Sequence, residues 1–254
     1  MTNPVVEVRV YSPTEAPAYL KAIVYGRAGS GKTYFCGSAA ESGKVLFLNL
    51  EGGHMSIPKA YRQNMVSIDI SNRDGSTAFD QMMHVIRSLN APVAKRPDWA
   101  KDIQTVVLDS GSELQTMVLE GIIGGKAAEI GSKHGEFDVW LEDYGDSTMR
   151  LSYLFRQLRA LPYNVLVTAL QREHKVGDTD VIIRITPEFT PKLGESVCGY
   201  FDHVWVMARR DGTTTMLCQP NDKLPYTVKT RGTSFPDELG ERVTNPTFAQ
   251  VYSL

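Results

Sequence analysis

The segment GRAGSGKT, residues 26–33, constrains the fold more than any other part of the sequence. It follows an apolar run rich in β-branched residues, KAIVYG (21–26), and it precedes a helical pattern over 32–42. In this context the spacing G-x-x-x-x-G-K-[ST] predicts a loop whose backbone N–H groups point at phosphate oxygens, at the N-terminus of a helix. A glycine-rich turn that only joins strand to helix is the alternative, but here every position of the motif is filled.

The same motif assigns a role to each of its side chains. Lys32 is expected to reach the β- and γ-phosphates of a nucleotide, and the Thr33 hydroxyl to bind Mg²⁺. Tyr34 is expected to pack in the core or beside an adenine. ATP and Mg²⁺ are therefore the expected cofactors. The expected nucleotide-binding residues are Gly26, Arg27, Ala28, Gly29, Ser30, Gly31, Lys32, Thr33 and Tyr34.

Short apolar runs alternate with helical patterns along most of the chain. The runs have the near-continuous apolar character of strands buried on both faces, and they lie at 21–26, 44–50, 65–70, 105–110, 164–170 and 202–208. Helical patterns lie at 32–42, 76–89, 112–122 and 138–161. This alternation predicts an α/β fold with a doubly wound, mostly parallel sheet. Two further runs, 213–219 and 226–232, look like consecutive strands that extend one edge of the sheet in antiparallel fashion.

Composition narrows the class of protein. With 254 residues, of which 42% are hydrophobic, the chain is expected to form a single domain over 1–254, with 1–18 as an arm that serves oligomerisation. The formal net charge of −2 gives no bulk field of the kind that marks nucleic-acid binders, so such contacts would need local patches. Three cysteines without paired spacing, and no apparent signal peptide or membrane span, predict a cytoplasmic protein.

Two acidic residues stand at the ends of predicted strands. Asp109 closes TVVLDS, where a buried carboxylate is costly unless it faces a cation, so it is expected to organise Mg²⁺; a solvated aspartate is the alternative. Glu51 follows KVLFLNL, and a carboxylate there could activate the attacking water. From the residues alone, a general base and a solvated glutamate are equally open interpretations of Glu51.

Four segments follow one another in the order found in the RecA-type recombinase core, which the chain resembles. They are the phosphate loop, LNLEGG (48–53), VVLDS (106–110) and VTALQRE (167–173). The resemblance implies that Glu51 is the catalytic base. It also implies that Gln171 senses the γ-phosphate.

More narrowly, the chain is similar to the small phage ATPases of the Sak group, which are RecA-like single-strand annealing proteins. The similarity covers roughly residues 20 to 250, and it is carried by LNLEGG, by 137–173 and 191–207, and by VKTRG with TNPTF. In those proteins the last strand often reads Lys-Asp-Arg, whereas this chain has Lys229-Thr230-Arg231, which keeps the spacing of the two cations.

The resemblance gives Lys229 and Arg231 a role between subunits. RecA-like and KaiC-like ATPases carry such a pair on a late strand that enters the ATP site of a neighbouring subunit. Residues two apart on a strand point to the same side, so both cations could meet one γ-phosphate. This predicts a homo-oligomer, either a ring or a filament. An edge strand protected by positive charge is the alternative.

The resemblance also implies two loops that contact single-stranded DNA, by position at 124–136 and 172–196. Acidic residues interleave with the cations in both segments, so ordinary solvated loop charge is the alternative. The candidate DNA-binding residues are Lys126, Lys133, Arg172, Lys175, Arg184 and Lys192. A phage or host single-strand binding protein is a further expected partner.

Together these features predict a Mg²⁺-dependent, DNA-stimulated ATPase that binds single-stranded DNA and promotes annealing in the host cytoplasm. One alternative is a KaiC-like ATPase that switches an assembly and touches no DNA, which the near-neutral charge allows. A P-loop kinase for a small molecule or nucleotide is another, but the chain shows no cation-dense lid of the kind expected for it.

Overall fold

The computed structural model describes residues 19–73, 75–129, 132–135, 138–177, 179–231 and 240–252. Ten strands follow in chain order. They are β1 (Lys21–Tyr25), β2 (Lys44–Asn49), β3 (Met65–Asp69), β4 (Ile103–Asp109), β5 (Asn164–Ala169), β6 (Gln171–Lys175), β7 (Ile182–Pro187), β8 (His203–Arg210), β9 (Thr213–Leu217) and β10 (Arg242–Thr244). Eight of them form one sheet, and β6 pairs only with β7 in a separate antiparallel hairpin.

The helices of the described chain cover both faces of this sheet. They are α1 (Lys32–Gly37), α2 (Lys59–Arg62), α3 (Ala78–Asn90), α4 (Gly111–Ala127), α5 (Leu141–Ala160), α6 (Pro191–Tyr200) and α7 (Phe248–Val251). Within β1, Ile23 and Tyr25 pack in the cluster that contains α3 to α6, whereas Ala22 and Val24 pack in the cluster with α1 and α7. This two-sided burial explains why the strand sequences are apolar at successive positions. None of the described helices is long and apolar enough to cross a membrane.

The strand order is β10-β9-β8-β1-β5-β4-β2-β3. All neighbours are parallel from β8 to β3, and β9 and β10 add to the edge in antiparallel fashion. The predicted fold class is therefore confirmed. Because β1 lies inside the sheet, β5, β4 and β2 follow on one side of it and β8, β9 and β10 on the other. The carboxyl end of β1 thus has a different set of neighbours on each side.

The predicted strand at 226–232 is wrong. Within the described residues 226–231, the segment makes only single bridges, from Tyr226 to Ile185 and from Lys229 to Val204, and β10 provides the last edge strand instead. β9 already pairs with β8 from Val206 onward, so on this edge the segment meets β8 before Val206, where Lys229 bridges Val204.

The predicted loops at 172–196 are also more ordered than the sequence indicates. The segment contains most of the hairpin β6–β7 and the first six residues of α6. β6 reads QREHK, and a charged strand of this kind gives no apolar alternation by which it could be recognised.

Candidate nucleotide-binding site

The glycine-rich segment forms a tight loop between β1 and the N-terminus of α1. Gly29 and Gly31 have φ angles of 74° and 92°, a region that favours glycine because other residues are strained there. The Lys32 ammonium curls back over the loop and donates to the carbonyl oxygens of Gly26 and Arg27, each at 3.0 Å. Burial lowers the pKa of Lys32, and the Asp109 charge opposes that shift. The loop therefore has a cation at its centre and a helix N-terminus on its wall.

Asp109 lies at the end of β4 and is almost completely buried. One carboxylate oxygen accepts a hydrogen bond from the Thr33 hydroxyl at 3.0 Å, and the other accepts one from the Thr168 hydroxyl. Burial raises the pKa of Asp109, while both hydroxyl hydrogen bonds favour the charged form. Thr33 and Asp109, the two expected metal ligands, are thus in direct contact, and their role as ligands stays a prediction.

The surroundings of this pair fit a Mg²⁺ ion that is shared with nucleotide phosphates. A Cβ at Gly53 would lie 2.7 Å from the Asp109 Oδ2 atom and 3.4 Å from the Thr33 side chain, so the absence of a side chain at 53 keeps that space free. The described residues contain no group of three or more His, Cys, Asp or Glu that could hold a metal. The Thr33 hydroxyl and the Asp109 carboxylate are oxygen ligands of the kind that Mg²⁺ prefers, and Mg²⁺ is usually bound by only one or two carboxylates together with substrate phosphates.

Glu51 is held beside Asp109 by a serine that the sequence pattern did not assign. β2 pairs with β4 so that Asn49 lies opposite Asp109, and Glu51 follows two residues later. Ser110 donates a hydrogen bond from its hydroxyl to the Glu51 carboxylate. The same hydroxyl accepts from the backbone N–H of Glu113 as the N-cap of α4. Helix α4 therefore fixes Ser110, and Ser110 fixes Glu51.

One cavity of about 610 Å³ brings these groups together, a volume suited to a nucleotide-sized ligand. Phosphate-loop residues from Ala28 to Tyr34 line it, with Glu51 and Asp109. Other parts of its wall were not singled out by the sequence patterns. They are Ser56, Leu170, Met207, Arg209, Gly212, Thr214, Asn245 and Pro246. Most of these residues lie on β8, on β9 or just after β10. They reach the phosphate loop because these three strands pair with one another and with β1, although they are distant from the loop in sequence.

Gln171 does not line this cavity; it lies in a shallow cleft beside it, on the first residue of β6. Its side chain donates to the Glu173 carboxylate at 3.1 Å, and Arg27 of the phosphate loop donates to the same oxygen at 2.7 Å. The hydrogen bond from Arg27 lowers the pKa of Glu173. The hairpin β6–β7 is thus attached directly to the phosphate loop. Glu173 is a link that the sequence pattern did not assign.

Lys229 and Arg231 lie away from the phosphate loop of their own chain, and neither lines the cavity. Lys229 bridges Val204, which pairs with Ile23 in the middle of β1, whereas the phosphate loop follows the end of β1. The Lys229 ammonium donates to the carbonyl oxygens of Cys198, Gly199 and Phe201, where α6 ends. Arg231 is exposed. The contact of either cation with the nucleotide of a second subunit stays a prediction.

The candidate DNA-binding cations fall into two groups. Lys126 lies 2.7 to 3.3 Å from carboxylate oxygens of Glu142, Asp143 and Asp146, so its charge is used within the fold and we leave it out of the proposed DNA surface. The others are exposed. Lys133 lies in the segment before α5, Arg172, Lys175 and Arg184 on the hairpin, and Lys192 in the first turn of α6.

The hairpin has one basic face. Arg172 pairs with Thr186 and His174 with Arg184, and side chains opposite each other on paired strands project from the same face. The neighbouring positions Gln171 and Glu173 project from the other face, toward the phosphate loop. Lys175 is paired with Asp180 at 2.9 Å across the hairpin end.

Comparison with known proteins agrees with this geometry. A family model described as an AAA domain matches residues 18–233 of the 254. No curated protein gives a significant match. The matched region contains the phosphate loop, the end of β4 with Asp109, and the whole parallel part of the sheet. Because the match extends over most of the chain, the protein belongs to the AAA-domain family of P-loop nucleoside triphosphatases.

Proposed function

We propose that the protein is a Mg²⁺-dependent ATPase of the RecA-like, Sak-group type, which binds single-stranded DNA as a homo-oligomer and promotes annealing. The observation that carries the ATPase part is the convergence of Lys32, Asp109 and Glu51 on one cavity. The link from Arg27 to the hairpin supports the DNA part. On this proposal the chain acts as one domain; the predicted arm at 1–18 lies outside the described residues.

The residues of the cavity would have different roles in the hydrolysis of ATP. Lys32 and the N–H groups of the loop would hold the phosphates, and Thr33 with Asp109 would hold Mg²⁺, whose charge would stabilise the negative charge of the phosphates. Glu51 orients the attacking water and accepts its proton. Ser110 keeps the Glu51 carboxylate aimed into the cavity, so Ser110 is a positioning residue.

Assembly into an oligomer would bring two further cations, Lys229 and Arg231 of a neighbouring subunit, to the nucleotide site. Arg231 of one subunit would meet the γ-phosphate bound by its neighbour, with Lys229 beside it. Of the two, Arg231 is the better probe because Lys229 also holds the carbonyl end of α6. A ring and a filament both satisfy this arrangement.

DNA binding would use the basic face of the hairpin together with Lys133 and Lys192. Arg172 and Arg184 share that face, and phosphate contacts of this kind are strongly salt-dependent. Gln171 and Glu173 project from the opposite face of the hairpin, and Glu173 accepts a hydrogen bond from Arg27 of the phosphate loop. A movement of the phosphate loop on ATP binding or hydrolysis would therefore shift the DNA-binding face. This coupling is what a DNA-stimulated ATPase needs.

The first test concerns Glu51 and Ser110. Glu51→Gln should bind Mg²⁺-ATP with wild-type affinity and lose at least about a hundredfold in kcat, since a general base is worth that much. Ser110→Ala should lower kcat by roughly fivefold to tenfold with KM little changed, because the carboxylate loses its hydrogen-bond donor. Ser110→Thr should restore most of the rate. Calorimetric binding and steady-state hydrolysis measure both effects.

Thr77→Ala is the matched control, since Thr77 caps α3 as Ser110 caps α4 but lies outside the cavity. Both alanine variants should lose about 1 kcal/mol of stability from the missing cap. Only Ser110→Ala should lose turnover. Hydrolysis at the wild-type rate by Glu51→Gln would remove Glu51 from the role of base.

Mixing two inactive variants tests the contact between subunits. Lys32→Ala should lose nucleotide binding, and Arg231→Ala should bind nucleotide but turn over slowly. In a mixed oligomer, an intact phosphate site can face an intact arginine, so the mixture should hydrolyse ATP faster than the sum of the separate variants. A mixture that shows only the sum, under conditions where subunits exchange, would place Arg231 outside the reaction.

Removing the hairpin cations tests the DNA surface. The double variant Arg172→Ala, Arg184→Ala should bind fluorescent oligo-dT at least roughly tenfold more weakly at low salt. It should also reduce the magnitude of the slope of log affinity against log salt by about 1.4, because each of two lost phosphate contacts to a single strand contributes about 0.7. Fluorescence anisotropy measures both. The control Arg87→Ala, Lys95→Ala removes the same charge elsewhere, and equal losses in the two double variants would contradict a specific DNA face.

A further inference from the structure

The cavity extends past the phosphate loop on the side away from Glu51 and Asp109. β5, β4 and β2 lie on one side of β1; Asp109 ends β4, and Glu51 follows β2 by two residues. β8, β9 and β10 lie on the other side, and Arg209, Thr214 and the turn at Asn245 and Pro246 line the cavity there. The site is therefore chemically asymmetric, with acidic groups on one side of the loop and a cation on the other.

This asymmetry orients a nucleoside triphosphate. The γ-phosphate must lie beside Glu51 and Asp109, where water is activated and the metal is held. The nucleoside must then lie on the β8 side. β8 is the immediate neighbour of β1 in the sheet, about 5 Å away. The α-phosphate, which is the phosphate nearest the nucleoside, would therefore lie directly beside the end of β8.

The hairpin formed by β8 and β9 is fixed against the phosphate loop. A Cβ at Gly26 would collide with the Met207 carbonyl, and a Cβ at Gly31 would lie 3.4 Å from the Thr214 side chain. Thr214 in turn accepts a hydrogen bond from the Asn245 N–H at 2.7 Å and donates its own N–H to the Asn245 Oδ1 atom at 3.1 Å. The wall is thus a rigid part of the site.

Arg209 is the cation of this wall. It pairs with Thr214 across the hairpin, and alternation along β8 places it on the same face as Met207, which also lines the cavity. No hydrogen bond or ion pair involves its guanidinium within the described residues. Arg210 projects from the opposite face, does not line the cavity and lies 3.6 Å from Asp211.

We propose that Arg209 binds the α-phosphate of the nucleotide in its own subunit, and that Thr214, Asn245 and Pro246 hold the nucleoside beside it. The inference rests on the proposed ATPase function and deepens it. It assigns the site a second cation that acts in cis on the part of the ligand shared by ATP and ADP. Lys32 and the cation from the neighbouring subunit act on the distal phosphates instead.

The test compares Arg209→Ala with Arg210→Ala, which removes the same charge from the next position. Arg209→Ala should weaken Mg²⁺-ADP and Mg²⁺-ATP equally, by roughly tenfold, because one charge-assisted contact to a shared group is lost. KM should rise by a similar factor while kcat stays within about twofold. Arg209→Lys should recover part of the affinity, and Arg210→Ala should bind like the wild type. Calorimetry and steady-state kinetics provide the readouts.

Each other outcome overturns the inference. Wild-type affinity in Arg209→Ala would remove Arg209 from the site, and a loss for ATP but not for ADP would place it at the γ-phosphate. Equal losses in Arg209→Ala and Arg210→Ala would indicate a general charge effect. If the wild-type protein itself binds neither nucleotide, the proposed ATPase function fails; if it binds them and Lys32→Ala does not, only the assignment of Arg209 is at stake.

Discussion

A buried carboxylate at the end of β4 holds the phosphate site together. Asp109 accepts hydrogen bonds from Thr33 at the start of α1 and from Thr168 in β5, so it joins three elements that are distant in sequence. A charge buried in this position is costly unless such donors compensate it. The hydrogen bond from Thr33 links the first turn of α1, next to the phosphate loop, to the end of β4. The next residue, Ser110, then positions Glu51.

The order of strands gives the cavity two chemically different sides. Because β1 lies inside the sheet, its phosphate loop has carboxylates toward β4 and β2 and a cation toward β8. The first side suits a metal and a polarised water, and the second suits the nucleoside end of the ligand. The hairpin β6–β7 meets the loop through Arg27 and Glu173, which gives a route from the phosphate site to a basic outer surface.

The sequence predicted those features that depend on local pattern. Apolar runs gave the parallel strands, and the glycine spacing gave the phosphate loop, because strand burial and phosphate contact each require particular residues at short range. Asp109 was singled out because a buried carboxylate is costly unless it faces a cation, whereas the role expected of Glu51 came from the resemblance to the RecA-type core.

The remaining features depend on which strands become neighbours. Arg209 and Asn245 reach the cavity only because β8, β9 and β10 form one edge of the sheet, and no local pattern encodes that order. The charged strand β6 lacks apolar alternation, so it was predicted as a loop. Lys126 looked like a free loop cation, yet residues 16 to 20 positions later in the chain neutralise it.

The most direct test of the account is hydrolysis of Mg²⁺-ATP by the unmodified protein with and without a long oligo-dT strand, with the anisotropy of the strand followed in parallel at low and moderate salt. The account predicts turnover that DNA accelerates, and strand binding that requires nucleotide and weakens as salt rises. Turnover without DNA binding at any salt would contradict it and would favour a nucleotide-switched assembly ATPase.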